Sequence, residues 1–212
     1  MKAKELAFMG KITAGTTHEM NNVLATIRES GGLLQDLMGL AKDQPFPYRD
    51  KFLKVLSNID DQVKRGVELA GKLNKFAHSM DNPHTRMDAL TLLQLNIFLM
   101  HRFARLKQVE LALAPSSANI EVALNPFLVL LTLSSAIDLC LADSAAGGAI
   151  ALSCGQDERG VFFEAAYMGS RSGDQAAPPA GLEPILAELG GSLEAQAEPG
   201  RLAFRLRLNP AR

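Results

Sequence analysis

The segment Gly15-Thr-Thr-His18-Glu19-Met-Asn-Asn22 carries the residues of this sequence that are best suited to chemistry. Imidazole is a nucleophile that is largely neutral near pH 7. In this segment a carboxylate follows the histidine directly, and an amide stands four residues on. A zinc protease motif, H-E-x-x-H, would need a second histidine at that fourth position. Asn22 stands there instead, so the sequence excludes that zinc site.

The same segment lies in the middle of a predicted long helix, over residues of about 3 to 42. This stretch contains no proline, and its apolar residues recur at helical spacing: Met9, Ile12, Met20, Leu24, Ile27, Leu34 and Met38. At about 100° per residue, His18 lies about 180° from Met9 and from Ile27. We therefore expect the imidazole to point into solvent, among small or neutral neighbours.

A second long helix is predicted after a break at 43–48, which contains two prolines. Its apolar residues follow steps of three and four: Phe52, Leu56, Ile59, Val63, Val67, Ala70, Leu73, Phe76 and Met80. Two long helices joined by a short loop form an antiparallel hairpin, whose apolar stripes need more partner surface than one chain supplies. A second copy would complete a four-helix bundle, so we predict a homodimer.

The pattern becomes mixed after a second break at 81–85. The predicted helices cover 88–107, 126–143 and 182–190. The predicted strands cover 109–114, 120–124, 148–154, 160–168, 192–197 and 201–208, and a loop is predicted over 169–181. This pattern is typical of an α+β layer domain. The predicted domains are a helical hairpin over 1–82 and an α/β domain over 86–212.

The segment around His18 resembles the phosphoacceptor box of sensor histidine kinases, in which His-Glu-x-x-Asn lies on the first helix of a dimerising hairpin. The resemblance covers most of the chain. The hairpin is similar to the dimerisation and phosphotransfer domain, and the order of elements in the remainder is similar to the kinase ATP-binding domain. It implies a four-helix bundle on dimerisation, followed by an α/β sandwich. The family usually has proline after the asparagine, whereas this chain has Val23, which is compatible with a straighter helix.

The resemblance also implies a role for each residue of the box. His18 would carry the phosphoryl group, and Glu19 would orient or deprotonate the ring nitrogen opposite the attacking one. Asn22 would hold a water in line with an aspartyl phosphate on a partner, which would give phosphatase activity. By themselves, Glu19 and Asn22 equally suit an ordinary solvated helix face. The predicted catalytic residues are therefore His18, Glu19 and Asn22.

The ATP-binding signatures of the family are altered in this chain. Leu131 and Ser135 stand where the family has two magnesium-binding asparagines, and Tyr167 stands where it has the aspartate that binds adenine. Leucine cannot ligate a hard cation, and a serine hydroxyl is a weaker ligand than an amide carbonyl. We therefore predict that the fold is retained without autonomous ATP-dependent kinase activity. The chain itself would need no cofactor or metal, and Mg²⁺ would be held by the partner receiver domain.

Composition limits the remaining classes of partner. The chain has 22 basic and 23 acidic side chains, a net charge of -1 and no Trp, which gives no reason to expect nucleic acid. Its most apolar run, 127–142, contains Ser134, Ser135 and Asp138 and is too short and polar to span a bilayer. The N-terminus lacks the apolar core of a signal peptide. We expect a soluble, cytoplasmic protein without a membrane partner.

The leading hypothesis is a dimeric histidine phosphotransferase of two-component signalling. His18 would accept a phosphoryl group from one response-regulator receiver domain and pass it to the aspartate of another. A hybrid histidine kinase is a further candidate partner. Three alternatives stay open: a non-catalytic regulator that docks a response regulator or kinase, a receiver phosphatase that uses Asn22, and, least favoured, an ATP-dependent histidine kinase.

Overall fold

Two long helices open the computed structural model, which describes residues 2–40, 48–82, 84–114, 120–168 and 177–208. Helix α1 is Lys2–Leu40 and helix α2 is Arg49–His78. Each begins and ends within about three residues of the bounds that apolar spacing predicts. The predicted break at 43–48 lies outside the described residues, apart from Tyr48.

The residues Thr13–Lys75 form a compact unit made of these two helices. The Asn58 amide donates a hydrogen bond to the Ser30 hydroxyl at 3.2 Å. Farther along, a Cβ placed on Gly66 would lie 3.4 Å from a methyl of Val23. Early residues of α1 thus face late residues of α2, which makes the pair an antiparallel hairpin.

Much of the apolar surface of this hairpin unit is exposed. Val23, Leu37 and Leu69 are buried. The larger set of exposed aliphatic side chains comprises Leu24, Leu33, Met38, Leu53, Leu56, Val63 and Val67. Several of these belong to the stripes that the sequence analysis predicts, so one hairpin alone does not cover them.

The described residues of the α/β part form seven strands and three helices. In chain order they are β1 (Thr85–Asp88), α3 (Ala89–Leu106), β2 (Glu110–Leu113), β3 (Glu121–Leu124), α4 (Pro126–Asp143), β4 (Ala149–Asp157), β5 (Gly160–Met168), α5 (Glu183–Leu189), β6 (Gly191–Glu198) and β7 (Arg201–Leu208). The main sheet has the order β2-β4-β5-β7-β6. Its β2–β4 pair is parallel and its other pairs are antiparallel. The predicted α+β class is confirmed.

Strand β1 is the element that the sequence analysis did not predict. It pairs antiparallel with β3, from Thr85 opposite Leu124 to Asp88 opposite Glu121, and the two form a separate sheet. Asp88 then caps α3, because its carboxylate accepts hydrogen bonds from the backbone amides of Leu90 and Thr91. The break at 81–85 therefore leads directly into a strand.

The core lies between the main sheet and helices α3 and α4. Alternate side chains of β5 and β7, such as Phe163 and Phe204, are fully buried. By length and composition helix α4 is long and apolar enough to cross a membrane, so the expectation that 127–142 is too short and polar for this was wrong, but 72% of the helix is buried within the protein. Its apolarity is therefore that of a core helix, and Asn125 with Pro126 begins it by a side-chain cap and a proline in the first turn.

The compact units differ from the predicted domains. Residues up to Ile12 belong with those from Phe76 onward, although they are part of α1. The predicted boundaries at 82 and 86 follow sequence pattern alone and stay a prediction.

Candidate functional site

His18 lies in the middle of α1, and its side chain is exposed, as the helical arithmetic predicts. Its neighbours Ala14, Thr17, Asn21 and Asn22 are exposed as well. These side chains are small or uncharged, so a partner can approach the imidazole without meeting a bulky or like-charged group. The helix thus presents a nucleophile at an open surface.

The imidazole has one polar contact among the described residues. Its Nδ1 lies 3.3 Å from the amide nitrogen of Asn22, one turn farther along α1. Residues four apart are neighbours on a helix surface, which explains the contact. The backbone carbonyl of Asn22 in turn accepts a hydrogen bond from the Thr26 hydroxyl at 3.0 Å.

Glu19 has different surroundings. Its side chain is only 9% exposed, and its Oε1 is buried with no hydrogen-bond partner among the described residues. A buried carboxylate oxygen without a partner is costly. The structure describes no hydrogen bond between Glu19 and His18, so of the two predicted helpers only Asn22 contacts the ring.

The positions on α4 that resemble the kinase asparagines are closed. Leu131 is 2% exposed. The Ser135 hydroxyl donates a hydrogen bond to the Leu131 carbonyl at 2.9 Å. Asp138 accepts two hydrogen bonds from the Lys11 ammonium, at 2.6 and 2.5 Å. The polar groups of this face are thus already paired within the protein.

The first turns of α1 cover this part of α4. The Lys11 ammonium also lies 4.5 Å from the centre of the Phe103 ring. One turn earlier, the Phe8 ring packs edge-to-face on Phe76 and at a tilt on Phe127, with ring centres 5.5 and 5.7 Å away. A cavity of about 260 Å³ remains between α1 and α4, lined by Lys4, Ala7, Phe8, Lys11, Leu131, Ser134, Ser135 and Asp138.

Tyr167, at the position of the adenine-binding aspartate, is 2% exposed. Its hydroxyl accepts a hydrogen bond from the backbone amide of Ala145 at 3.0 Å. Its ring also lies against Gly148, where an added Cβ would come within 2.8 Å of a ring carbon. Tyr167 therefore packs and ties the end of β5 to the α4–β4 connection. The predicted loop that follows, with Arg171, lies outside the described residues up to 176.

These side chains do not fit a magnesium-bound nucleotide. Such a complex needs free oxygen ligands for the cation. The Leu131 side chain has no oxygen, the Ser135 hydroxyl is hydrogen-bonded within α4, and the Asp138 carboxylate forms an ion pair with Lys11. Within the described ranges no group of three or more His, Cys, Asp or Glu side chains could hold a metal ion.

The other histidines are paired with a neighbour or exposed to solvent, and both cysteines are buried. His78 pairs with Asp81 at 2.6 Å, and His84 and His101 are exposed. Cys140 and Cys154 are both buried. Burial raises the pKa of Cys140 to about 12, with a smaller contribution from Asp143, so this thiol stays neutral and unreactive in the folded protein.

Sequence reasoning did not identify the partners of the closed face or the charged outer side of the sheet. Lys11 and Asp138 are 127 positions apart, and no local signal joins them. On the sheet, Glu164 pairs with Arg201 and Arg205 at 2.7 and 2.5 Å. The alternation of arginines in β7 was a signal for this second group, since alternate residues share a face of a strand.

Comparison with known proteins identifies the fold. No protein-family model matches the sequence, and no curated protein matches it either. Among solved structures, histidine kinase ThkA in complex with response regulator protein TrrA matches 100% of this chain and 64% of its own, with a TM-score of 0.51 at 14% identity. A histidine kinase from Burkholderia phymatum STM815 matches 93% of this chain and 98% of its own (TM-score 0.50, 13% identity).

The catalytic domain of ThkA alone covers 60% of this chain and 97% of its own, with a TM-score of 0.51 at 13% identity. The chain has a histidine kinase fold. This confirms the resemblance that the sequence predicts, at the level of the fold. At such identities the similarity extends to the fold alone, so the chemistry of this chain depends on its own residues. His18 is exposed, whereas Leu131 is buried and Asp138 is paired with Lys11.

Proposed function

We propose that this chain is a phosphotransfer protein of two-component signalling. His18 accepts a phosphoryl group from a receiver-domain aspartate and donates it to another. The observation that carries this proposal is the exposed imidazole of His18 in the middle of α1, with one long contact to Asn22. The histidine kinase fold supports the same class of chemistry.

The surroundings of His18 suit transfer from a partner. A phosphoryl group passes through a transition state that needs positioning and charge stabilisation more than further covalent catalysis. The receiver would supply the aspartate and its Mg²⁺, and this chain would supply a neutral nitrogen nucleophile. Glu19 stays a proposed orienting residue, although its carboxylate would have to leave its buried position to reach the ring.

Closure of the α4 face supports a role without ATP. The Lys11 ammonium is bonded to both carboxylate oxygens of Asp138. Leu131 places an apolar side chain where the kinase family has a magnesium ligand. A nucleotide would have to displace the first turns of α1 and would still lack ligands for its cation. We therefore propose that the phosphoryl group comes from a receiver and that the chain needs no cofactor of its own.

A homodimer and a response-regulator partner complete the proposal. An open groove of about 760 Å³ between α1 and α2 has the exposed Leu33 in its lining, and a second hairpin would cover this groove and the other exposed aliphatic side chains of the hairpin unit. The ThkA structure is that of a histidine kinase in complex with a response regulator protein. We propose a partner of that class here, and a cytoplasmic location.

The test is phosphoryl transfer from a phosphorylated receiver domain to purified protein. We expect acid-labile, alkali-stable label on the wild type and none on His18→Ala. His101→Ala is the matched control, because His101 is also an exposed helical histidine, and it should label like the wild type. Label from Mg-ATP alone would contradict the proposal and restore the kinase alternative.

A phosphatase is the second candidate, because Asn22 is exposed beside His18. In that case the phosphorylated receiver would lose its phosphate in the presence of wild type and of His18→Ala, but not of Asn22→Ala. Receiver binding without labelling or dephosphorylation would instead favour a docking regulator.

A further inference from the structure

The side chain of Asn22 is placed to influence which of the two ring nitrogens of His18 carries the proton. A neutral imidazole carries one proton, and the nitrogen without it holds the lone pair that can attack phosphorus. The proton position depends on what the other nitrogen is hydrogen-bonded to. Among the described residues the only group bonded to the ring is the Asn22 amide, 3.3 Å from Nδ1.

Building on the phosphotransfer function, we propose that Asn22 is a positioning residue that sets which ring nitrogen of His18 carries the proton, and that its oxygen faces Nδ1 in the reactive tautomer. The amide can turn either its NH₂ group or its oxygen toward Nδ1. With the NH₂ group toward the ring, as in the structure, Nδ1 accepts a hydrogen bond and Nε2 carries the proton. With the oxygen toward the ring, Nδ1 carries the proton and Nε2 has a free lone pair.

The second arrangement is the one that accepts phosphate. The Nε2 lone pair forms the bond to phosphorus, and the bond between phosphorus and the receiver carboxylate oxygen breaks. The carboxylate leaves with that electron pair, and Nδ1 keeps its proton throughout. The ring becomes positively charged on transfer, and the Asn22 oxygen accepts the hydrogen bond from its Nδ1–H. Return of the phosphoryl group to an aspartate reverses each of these changes.

Helix geometry favours Asn22 over Glu19 for this task. Residues one apart on a helix do not face each other, whereas residues four apart are neighbours. In agreement, Asn22 contacts the ring, and the Glu19 side chain is 9% exposed and bonded to no described group through Oε1. In the free protein, where the Glu19 carboxylate is buried, Glu19→Gln should therefore leave the tautomer of His18 unchanged.

The experiment measures the tautomer directly, by long-range ¹⁵N–¹H correlation spectra of histidine-labelled protein at alkaline pH, where imidazoles are neutral. His101, exposed and without a hydrogen-bond partner in the described parts of the chain, is the internal reference. We expect the ring nitrogens of His18 to differ from those of His101 in the wild type. Asn22→Leu should make them alike, and Asn22→Asp, an acceptor only, should move the proton to Nδ1.

Thr26→Ala is the matched control, because it removes a hydroxyl that bonds the backbone carbonyl of Asn22 rather than its side chain. It should leave the spectrum unchanged. In transfer assays Asn22→Leu should label about two- to tenfold more slowly, the effect of losing one neutral hydrogen bond. A His18 spectrum that matches His101 in the wild type, or that ignores Asn22→Leu, would overturn the inference. The predicted spectral changes without labelling of any variant would support the positioning role while refuting phosphotransfer.

Discussion

The polar groups near His18 on α1 and those near Asp138 on α4 have opposite surroundings. His18 is exposed, and its only described polar contact is a 3.3 Å approach to Asn22. Asp138 has both carboxylate oxygens bonded to Lys11 at 2.6 Å or less. The first arrangement leaves hydrogen-bonding capacity for a partner, and the second uses it within the chain.

This difference distinguishes the His18 face of α1 from the Asp138 face of α4 by the hydrogen-bonding groups that each leaves available to a partner. A surface that acts on a partner keeps donors, acceptors or lone pairs free, since interactions made in the free protein must be given up on binding. On α4, a ligand of Asp138 would have to replace its ion pair with Lys11. Under the proposed function, the α4 region would serve as packing and the open helix face would carry the chemistry.

The sharpest test of this comparison is the packing that closes the α4 face. Phe76 is fully buried, with its ring centre 5.5 Å from Phe8 and 6.1 Å from Phe127. We expect Phe76→Ala to lower the free energy of unfolding by about 3–5 kcal/mol through loss of buried surface and a residual cavity. Urea denaturation at one fixed protein concentration measures this loss.

Asn21→Ala provides the matched change on the open face, because Asn21 is exposed beside His18. It should alter the same free energy by less than about 0.5 kcal/mol. Equal losses for the two variants would mean that the aromatic cluster is not closed in solution, and the comparison between the two faces would fail.

The long elements of this fold were predictable, because their patterns are local. Helix α4 has the predicted bounds, with a capping Asn125 and Pro126 at its start. Strand β1 was missed because its four residues include one apolar side chain, Met87, whereas β2 and β3 have the same length but three apolar residues each. Its partner among the described residues is β3, more than thirty positions later. Such pairing leaves little local trace.

The candidate site divides in the same way. The exposure of His18 follows from helical arithmetic, since an angle about the helix axis depends on sequence position alone. The burial of Glu19 and the Lys11–Asp138 pair depend on which surfaces meet, and these meetings are long-range. Sequence spacing places residues on a face, whereas the third dimension decides what covers that face.

The exposed aliphatic side chains of the hairpin unit allow a test of whether this surface binds a second copy of the chain. Val63 is 47% exposed on α2. If a second copy covers it, Val63→Asp should raise the dimer dissociation constant by at least about tenfold, because burying a Val side chain contributes about 1.5–3 kcal/mol. Arg65→Gln, an exposed change on the opposite side of α2, is the control. Sedimentation that shows a monomeric wild type would contradict the dimer.

The comparison between an open and a closed surface also applies to two nucleophilic side chains, because His18 is exposed and Cys140 is buried. Burial raises the pKa of Cys140 from 9.0 to about 12. The unfolded thiol loses its proton above pH 9 while the folded one keeps it, so stability falls between those two values. We expect a loss of about 1 kcal/mol from pH 9 to 10 in the wild type, relative to Cys140→Ala. Identical pH profiles for the two proteins would show that the thiol is not held neutral by the fold.

The smallest expected effect concerns the ion pair that closes the α4 face. The side chains of Lys11 and Asp138 are 29% and 48% exposed, so solvent screens their attraction. Asp138→Asn should therefore lower the free energy of unfolding by only about 0.2–1 kcal/mol, and less at high salt. Urea denaturation at two salt concentrations measures both the loss and its salt dependence. A loss as large as that of Phe76→Ala would mean that charge, rather than aromatic packing, holds the first turns of α1 on α4. A small, salt-sensitive loss would leave packing as the main cause of closure.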